Sequence, residues 1–463
     1  MALPTVIALA YLLSAALFIL GIKRLSHPDT APGGNRLAAI GMLLAVAATL
    51  LDRQILGFTW IIIGIAAGGL IGLVMAKTVK MTEMPQMVAV FNGFGGAASG
   101  LVAVAELLRV SGVGEPISVD AGVSIMAGTL IGAVTFSGSM VAYGKLQGIV
   151  SGDAVQNPLL RIVAILLALG SLGAAVYLVG VDIDLTVYWA LVGAALVLGV
   201  LFVIAIGGGD MPVVVALLNS YSGLAASAAG FVLGNNGLII SGALVGASGL
   251  ILTSIMCRAM NRSLANVLFS AFGSATGSAA GGDDGDRVAT SIEAADTAMI
   301  LGYASQVVFV PGYGLAVAQA QHKIRELADL LTARGVGVRY CVHPVAGRMP
   351  GHMNVLLAEA NVPYEQLCEP DDVNPNMEDI DVAVVVGAND VVNPLARDDP
   401  SSPIAGMPII ECDRAKTSIV IKRSLSAGYA GIDNPLFYRP NNRMYFGDAA
   451  EALAAIAEEV KQL

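Results

Sequence analysis

Nine runs of mostly apolar residues, at about 4–22, 37–51, 55–76, 86–108, 121–143, 159–180, 185–206, 212–233 and 237–257, fill the first part of this chain. A helix needs about 20 such residues to cross the hydrocarbon of a bilayer. Inside that solvent a backbone has to satisfy its own hydrogen bonds, so runs of this length are read as nine membrane-spanning helices, the second being the shortest. The first run does not fit a signal peptide, because it lacks a basic leading segment and is followed by Lys23-Arg24.

Charge divides the chain in two. Residues 1–261 carry 10 Lys/Arg and 10 Asp/Glu, whereas 262–463 carry 15 and 25, which is the whole net charge of −10. Only 13% of residues are charged and 56% are hydrophobic. The first figure excludes an ordinary soluble protein, where about a quarter are charged; the second excludes a disordered chain. The expected organisation is a membrane domain over 1–261, a linker over 262–290 and an α/β domain over 291–463.

Loop charges orient the membrane part. Lys23, Arg24, Arg36, Lys77, Lys80, Lys145, Arg161, Arg258 and Arg262 fall on one side, while the other has Arg53 and Arg109 with Asp52, Glu115, Asp120, Asp182 and Asp184. The positive-inside rule puts the amino terminus outside and, after nine crossings, the soluble half in the cytoplasm. Cys257, Cys341, Cys368 and Cys412 show no paired spacing, which fits a reducing location. Gly64, Gly68, Gly69 and Gly72 are expected to let helices pack closely.

An internal repeat carries more information. Met84-Pro85-Gln86-Met87-Val88-Ala89-Val90-Phe91-Asn92 matches Met211-Pro212-Val213-Val214-Val215-Ala216-Leu217-Leu218-Asn219. An acid precedes each copy (Glu83, Asp210), and Gly96 or Gly223 follows each Asn by four residues. Proline suits a first helical turn, where its missing N–H has no partner to lose. Each Asn then lies roughly 12 Å along its helix, near the middle of the bilayer. Such an amide either bonds neighbouring helices or lines a hydrated path with the inner acids Glu83 and Asp210 at its mouth. An amide does not titrate near neutrality, and none of the nine runs contains a histidine: His27 is in a loop, and His322, His343 and His352 lie in the soluble half.

Residues 262–290 are rich in Gly, Ala, Ser and Asp and read as a solvated tether. Asp283, Asp284 and Asp286 lack the spacing and the terminal Glu of a calcium loop. Beyond them a strand at Gln306–Val310 meets Pro311-Gly312-Tyr313-Gly314-Leu315-Ala316-Val317, then a helical stretch through Arg334 and a strand at about Val336–Val342. Gly312-x-Gly314-x-x-Val317 fits the dinucleotide fingerprint with Val for the third glycine, and such a turn brings backbone N–H groups and a helix N-terminus to a pyrophosphate. A domain of this kind is Rossmann-like, a doubly wound parallel sheet. No acid ends the second strand at Tyr340-Cys341-Val342-His343, where sites selecting NAD usually carry one. A third strand, Asp381–Val386, leads into Gly387-Ala388-Asn389-Asp390, and a fourth, Ser418–Ile421, ends in Lys422-Arg423-Ser424. Two cations and a hydroxyl suit a 2′-phosphate and point to NADP(H). His343 and His352 have no third partner at zinc-like spacing and are expected to form hydrogen bonds, with no metal.

Taken together, these residues resemble the beta subunit of the proton-translocating nicotinamide nucleotide transhydrogenases along essentially the whole chain. The resemblance rests on Met211–Gly223, Pro311–Gln321, His343–Pro350, Gly387–Asp390, Ile404–Pro408, Lys422–Ser424, Gly428-Tyr429-Ala430-Gly431 and Gly447-Asp448-Ala449. It implies hydride transfer between NAD(H) and NADP(H) coupled to proton translocation, with NADP(H) held on this chain. The matching positions are Gly312, Tyr313, Gly314, Val317, His343, Val345, Ala346, Gly347, Arg348, Met349, Pro350, Gly387, Ala388, Asn389, Asp390, Gly406, Met407, Lys422, Arg423, Ser424, Gly428, Tyr429, Asp448 and Ala449. Asn92 and Asn219, from the repeat, are the expected proton path, and Asp210, Arg258 and Arg262, at the inner ends of the eighth and ninth helices, are by their position the candidates for its coupling to the nucleotide.

Only one nucleotide domain fits in 262–463, so NAD(H) is expected on an alpha subunit that adds membrane helices, with the heteromer paired into a dimer in an inner membrane. Nucleic acid is not an expected partner. Many relatives carry a proton-transferring histidine where this chain has Asn92. Either the partner supplies the histidine, or water near Asn92 and Asn219 carries the proton, or the change uncouples the pump. The competing reading from the residues is a transporter or channel gated by a cytoplasmic NADP-sensing domain.

Overall fold

The computed structural model describes residues 3–25, 30–52, 58–113, 117–152, 154–155, 157–181, 183–261, 263–269, 288–349, 351–428 and 430–463. The Asp-rich stretch expected as a tether, together with His27, Arg53, Glu115, Asp182, Arg262, Pro350 and Tyr429, lies outside them. The chain divides into two compact units, residues 1–207 with 214–253, and residues 208–213 with 254–463.

Among the described residues nine helices are long and apolar enough to cross a membrane. They are α1 (Leu3–Leu25), α2 (Ala31–Asp52), α3 (Thr59–Thr78), α4 (Met84–Val113), α5 (Val119–Gln147), α6 (Pro158–Gly180), α7 (Leu185–Ile204), α8 (Met211–Leu233) and α9 (Asn236–Ala259). The weak second run becomes a full span because α2 starts at Ala31 and takes in Arg36, well before the apolar residues begin.

Helices approach closely where glycines leave room. A Cβ on Gly96 of α4 would meet Thr135 Cβ of α5 at 2.8 Å, and one on Gly132 of α5 would meet the Gly100 nitrogen at 2.9 Å. On α8 and α9, a Cβ on Gly223 would meet the Gly242 carbonyl at 2.8 Å. Gly64, Gly68, Gly69 and Gly72 behave otherwise. Nothing lies within 4 Å of a Cβ built at any of them, and α3 has no buried residue. The close packing expected of those four is therefore absent among the described residues, where small residues let α4 approach α5, α8 approach α9, and α1 approach α2, a Cβ on Gly34 meeting the Gly21 carbonyl at 2.7 Å.

In the second unit, α10 (Leu264–Phe269) precedes α11 (Ala294–Gly302), and a parallel sheet follows. Its strands are β1 (Gln306–Pro311), β2 (Gly337–Cys341), β3 (Leu367–Cys368), β4 (Val382–Val386), β5 (Thr417–Lys422) and β6 (Asn442–Phe446), in the order β3-β2-β1-β4-β5-β6. The central strands β1, β4 and β5 are mostly Val and Ile because both faces are covered; β4 is buried at all five positions. Helices α12 (Tyr313–Val317), α13 (Gln321–Ala333), α14 (His352–Glu359), α15 (Pro370–Val373), α16 (Leu395–Asp398) and α17 (Ala449–Gln462) complete the unit.

Two details depart from the sequence reading. β3 is two residues long and β6 lacks a clean apolar run, so neither was among the four expected strands. The helical stretch expected from the glycines to Arg334 is broken between α12 and α13, where Gln319 takes φ +50°. Thr290, the last residue of the expected linker, lies beside β6, its carbonyl accepting from Met444 N–H at 2.8 Å.

Candidate functional site

The strand order reverses between β1 and β4, and in open parallel sheets the crevice beyond the carboxyl ends of such strands is where ligands bind. Three glycines bring the two loops into contact there. Gly312 N–H donates to the Val386 carbonyl at 2.8 Å and Gly314 N–H to the Gly387 carbonyl at 2.9 Å. A Cβ on Gly314 would lie 2.6 Å from Gly387 Cα, and Gly387 itself takes φ +66°, a conformation that favours glycine. The fingerprint glycines thus serve first to let the loops after β1 and β4 touch, and their own N–H groups are already used. The helix after them, α12, is only five residues long, and Val317 at its end is exposed instead of packing where a third glycine would.

Positive charge at the site therefore comes from side chains. Arg348, on the loop after β2, places its guanidinium 4.4 Å from the ring centroid of Tyr313. At the end of β5, Lys422 is half-buried, hydrogen-bonded to the Ser426 carbonyl, and 5.0 Å from the centroid of Phe437. Burial pulls its ammonium pKa below the ordinary lysine value, while Asp390 and Asp433 oppose the change. Arg423 is exposed and has no hydrogen bond or ion pair among the described residues. Ser424 Oγ pairs with Ser426 Oγ at 2.7 Å.

The segment after these cations is fastened across the end of β4. Asp390 Oδ2 accepts from Ala430 N–H at 3.0 Å, and a Cβ on Gly428 would meet the Asp390 carboxylate at 2.6 Å. Asn389 Nδ2 donates to the Ser426 carbonyl at 3.2 Å, and Asn434 Nδ2 donates to Asn389 Oδ1 at 3.1 Å. Asn434 was not foreseen from the sequence. Its fully buried amide also accepts from Leu436 N–H at 3.0 Å, and an Asn directly before Pro435 was the only signal that could have marked it.

The two buried histidines fix the loop after β2. His343 Nε2 pairs with the Pro408 carbonyl at 2.8 Å, and its Nδ1 accepts from Val345 N–H at 3.3 Å. His352 Nδ1 accepts from Arg348 N–H at 3.0 Å. Burial lowers both pKa values to about 4, helped at His352 by the Arg348 charge and opposed at His343 by the Pro408 bond, so both rings are neutral at pH 7. A Cβ on Gly347, at φ +106°, would run into His352. Ala346 is buried and Met349 is half-buried in the same loop. Gly406 takes φ +73°, its N–H donating to the Ala396 carbonyl at 2.7 Å, and Met407 N–H donates to Ile404 at 3.0 Å. Asp448 Oδ1 accepts from Ala450 N–H at 2.9 Å, which makes it the N-cap of α17, and Ala449 is buried behind it.

The repeat in the membrane unit keeps its symmetry locally. A 3₁₀ turn, Met81–Glu83 or Gly208–Asp210, precedes each Met-Pro helix start. Asn92 is buried and donates from Nδ2 to Ser139 Oγ of α5 at 3.1 Å. Its backbone carbonyl accepts from Ser222 Oγ of α8 at 3.4 Å. Asn219 is half-buried, with no side-chain hydrogen bond among the described residues, while its neighbour Ser220 donates to the Gly246 carbonyl at 2.6 Å. Asp210 is buried and Glu83 half-buried.

The family model for the NAD(P) transhydrogenase beta subunit matches residues 7–459. A protein named NAD(P) transhydrogenase subunit beta from Rhodospirillum rubrum is 50% identical over 454 residues, covering 97% of this chain and 98% of that protein. A second Rhodospirillum rubrum sequence of the same name gives the same figures.

Proposed function

The chain belongs to the NAD(P) transhydrogenase beta subunit family, and from that premise we propose that it is the NADP(H)-binding, proton-conducting subunit of a transhydrogenase completed by an alpha subunit. The observation that carries the nucleotide assignment is the Lys422-Arg423 pair at the carboxyl end of β5, on the same edge of the sheet as the glycine crossing of β1 and β4. Arg423 is an exposed cation with no partner among the described residues, in a unit that holds the chain's whole acidic excess. A fixed positive charge there suits a 2′-phosphate better than a ribose hydroxyl.

Lys422, Arg423 and Ser424 would hold that phosphate, with Arg348 and Tyr313 flanking the crossing. When bound, the nucleotide supplies the hydride acceptor or donor. The protein's own groups bind and orient it and exclude water. No acid–base work on the nicotinamide is assigned to the described residues: His343 and His352 are neutral and bonded to backbone, and Asp390 holds Ala430.

NAD(H) would sit on the alpha subunit, the two nicotinamides meeting at the subunit boundary. The heteromer would pair into a dimer in a cytoplasmic membrane, with this chain's amino terminus outside and its nucleotide domain in the cytoplasm. We assign the domains as 1–261, 262–290 and 291–463.

Proton movement would pass near Asn92 and Asn219. Because an amide neither gains nor loses a proton near neutral pH, a membrane histidine of the alpha subunit is the favoured carrier, with Asp210 linking the path to nucleotide state. The test is NADH-dependent reduction of an NADP analogue by the chain purified with its alpha partner, with proton uptake followed in vesicles. Turnover with proton uptake is expected; intact NADP binding without turnover would mark a nucleotide-gated channel instead.

A further inference from the structure

Four cysteines with no paired spacing in the chain are not equally far apart in the fold. β2 and β3 run parallel with Cys341 opposite Cys368. Neighbouring strands lie about 4.8 Å apart, and opposed residues of a parallel pair present their side chains on one face. That separation falls within the roughly 4.4–6.8 Å between Cα atoms that a disulfide spans. The Cys368 S–H donates to the Tyr340 carbonyl at 3.2 Å, on the strand that carries Cys341.

The members of the pair differ in a useful way. Cys341 is buried in the sheet core, whereas Cys368 is half-buried on a strand of only two residues at the sheet edge. The neighbouring Cys341 thiol and, more weakly, the charge of Arg339 hold the Cys368 thiol below its usual pKa against its partial burial; Cys341 is pushed up by Cys368 and by burial. The accessible sulfur is thus the one favoured as thiolate, which is the reactive form. Cys412 is fully buried in the same core, and burial pushes its thiol up.

We propose that Cys341 and Cys368 form a redox-responsive pair that a peroxide closes into a disulfide and a dithiol reopens. The Cys368 thiolate attacks one peroxide oxygen, the O–O bond breaks, and the other oxygen leaves as water after taking up a proton, so Cys368 becomes a sulfenic acid. Cys341 sulfur then attacks Cys368 sulfur, and the hydroxyl departs as a second water with the Cys341 proton. Two thiols lose two electrons, and the peroxide is reduced to two waters. Val342 N–H, bonded to the Cys368 carbonyl at 2.9 Å, follows Cys341 directly and leads to His343, so the bond would fasten the edge strand to the root of the His343 loop.

The test uses the full chain in detergent, exposed to stoichiometric hydrogen peroxide, then unfolded, alkylated with N-ethylmaleimide and mapped as unreduced peptides. A linked Cys341–Cys368 peptide is expected, with alkylated thiols falling from the four of the reduced chain to two and restored by dithiothreitol. Cys412→Ser should keep the link, and Cys368→Ser should leave Cys341 alkylated. Recovery of Cys341 as an alkylated thiol in the oxidised wild-type chain, with Cys368 driven to sulfinic acid or untouched, would overturn the proposal without requiring any variant to fold.

Discussion

Asn92 on α4 and Ser139 on α5 share a buried hydrogen bond of 3.1 Å, and the Asn92 amide oxygen is left without a donor among the described residues. A buried acceptor in that condition costs about 1–3 kcal/mol. The position is therefore poised for water or for a donor brought by another helix, and a structural amide alone would have filled it from within.

Replacing Asn92 by Leu should leave the helices assembled, since volume is kept, yet reduce proton uptake during reduction of an NADP analogue by about tenfold, a barrier change of about 1.4 kcal/mol. Vesicle proton uptake and detergent-solubilised hydride transfer, measured side by side, decide it. Equal loss of both activities would point to misfolding, and loss of neither would remove Asn92 from the path.

Asp210 closes the 3₁₀ turn before α8 and is buried. Asp210→Asn keeps the shape and removes the charge, so hydride transfer between bound nucleotides should persist while its response to a proton gradient fades. A gradient response equal to that of the wild type would show that Asp210 has no coupling role.

Changing Lys422 and Arg423 together to Ala should weaken NADP by roughly 10²–10⁴-fold, because each charge-assisted contact to phosphate contributes roughly 1.5–3 kcal/mol. NAD, lacking the 2′-phosphate, should lose little. Calorimetric titration of both nucleotides is the measurement. Parallel losses would mean that the pair shapes the β5 loop without reading the phosphate.

Gly387→Ala combines a strained φ with a collision against the Gly314 backbone, and should destabilise the nucleotide unit by about 2–4 kcal/mol. Gly431→Ala is the control: it has a similar φ of +67° but nothing within 4 Å of the new Cβ, so only the backbone cost of about 1 kcal/mol is expected. Thermal unfolding of the two variants separates strain from collision.

His343 and His352 are held near pKa 4, below the value of about 6.5 expected of an unfolded chain. Between those values the unfolded chain binds protons that the folded one refuses. Stability is therefore full above about pH 6.5, falls as the pH drops toward 4, and gains no further dependence from these groups below that. Each histidine accounts for about 3 kcal/mol across the window. Urea midpoints at pH 7 and pH 5 should differ, and His343→Gln should shrink the difference; a flat midpoint would refute the linkage.

The membrane half was legible because hydrocarbon imposes one length and one composition on every spanning helix, so nine runs become nine helices among the described residues. The glycine turn, the four expected strands β1, β2, β4 and β5, and the basic pair were legible for a similar reason: local chemistry sets each of them. What those glycines do was decided only by tertiary structure. Gly312 and Gly314 read as a phosphate cradle, but their N–H groups go to Val386 and Gly387, because the touching loops are 75 residues apart in sequence and meet only when β1 and β4 pair. β3 escaped notice since two residues carry no periodicity, and with it went the pairing of Cys341 and Cys368. The same holds for Asn92: its depth in the bilayer follows from counting along one helix, but its bond to Ser139 exists only because Gly96 and Gly132 let α4 and α5 close on each other. Sequence patterns report what a residue contributes to its own element; side-chain partners depend on which elements pack together, and no local pattern encodes that.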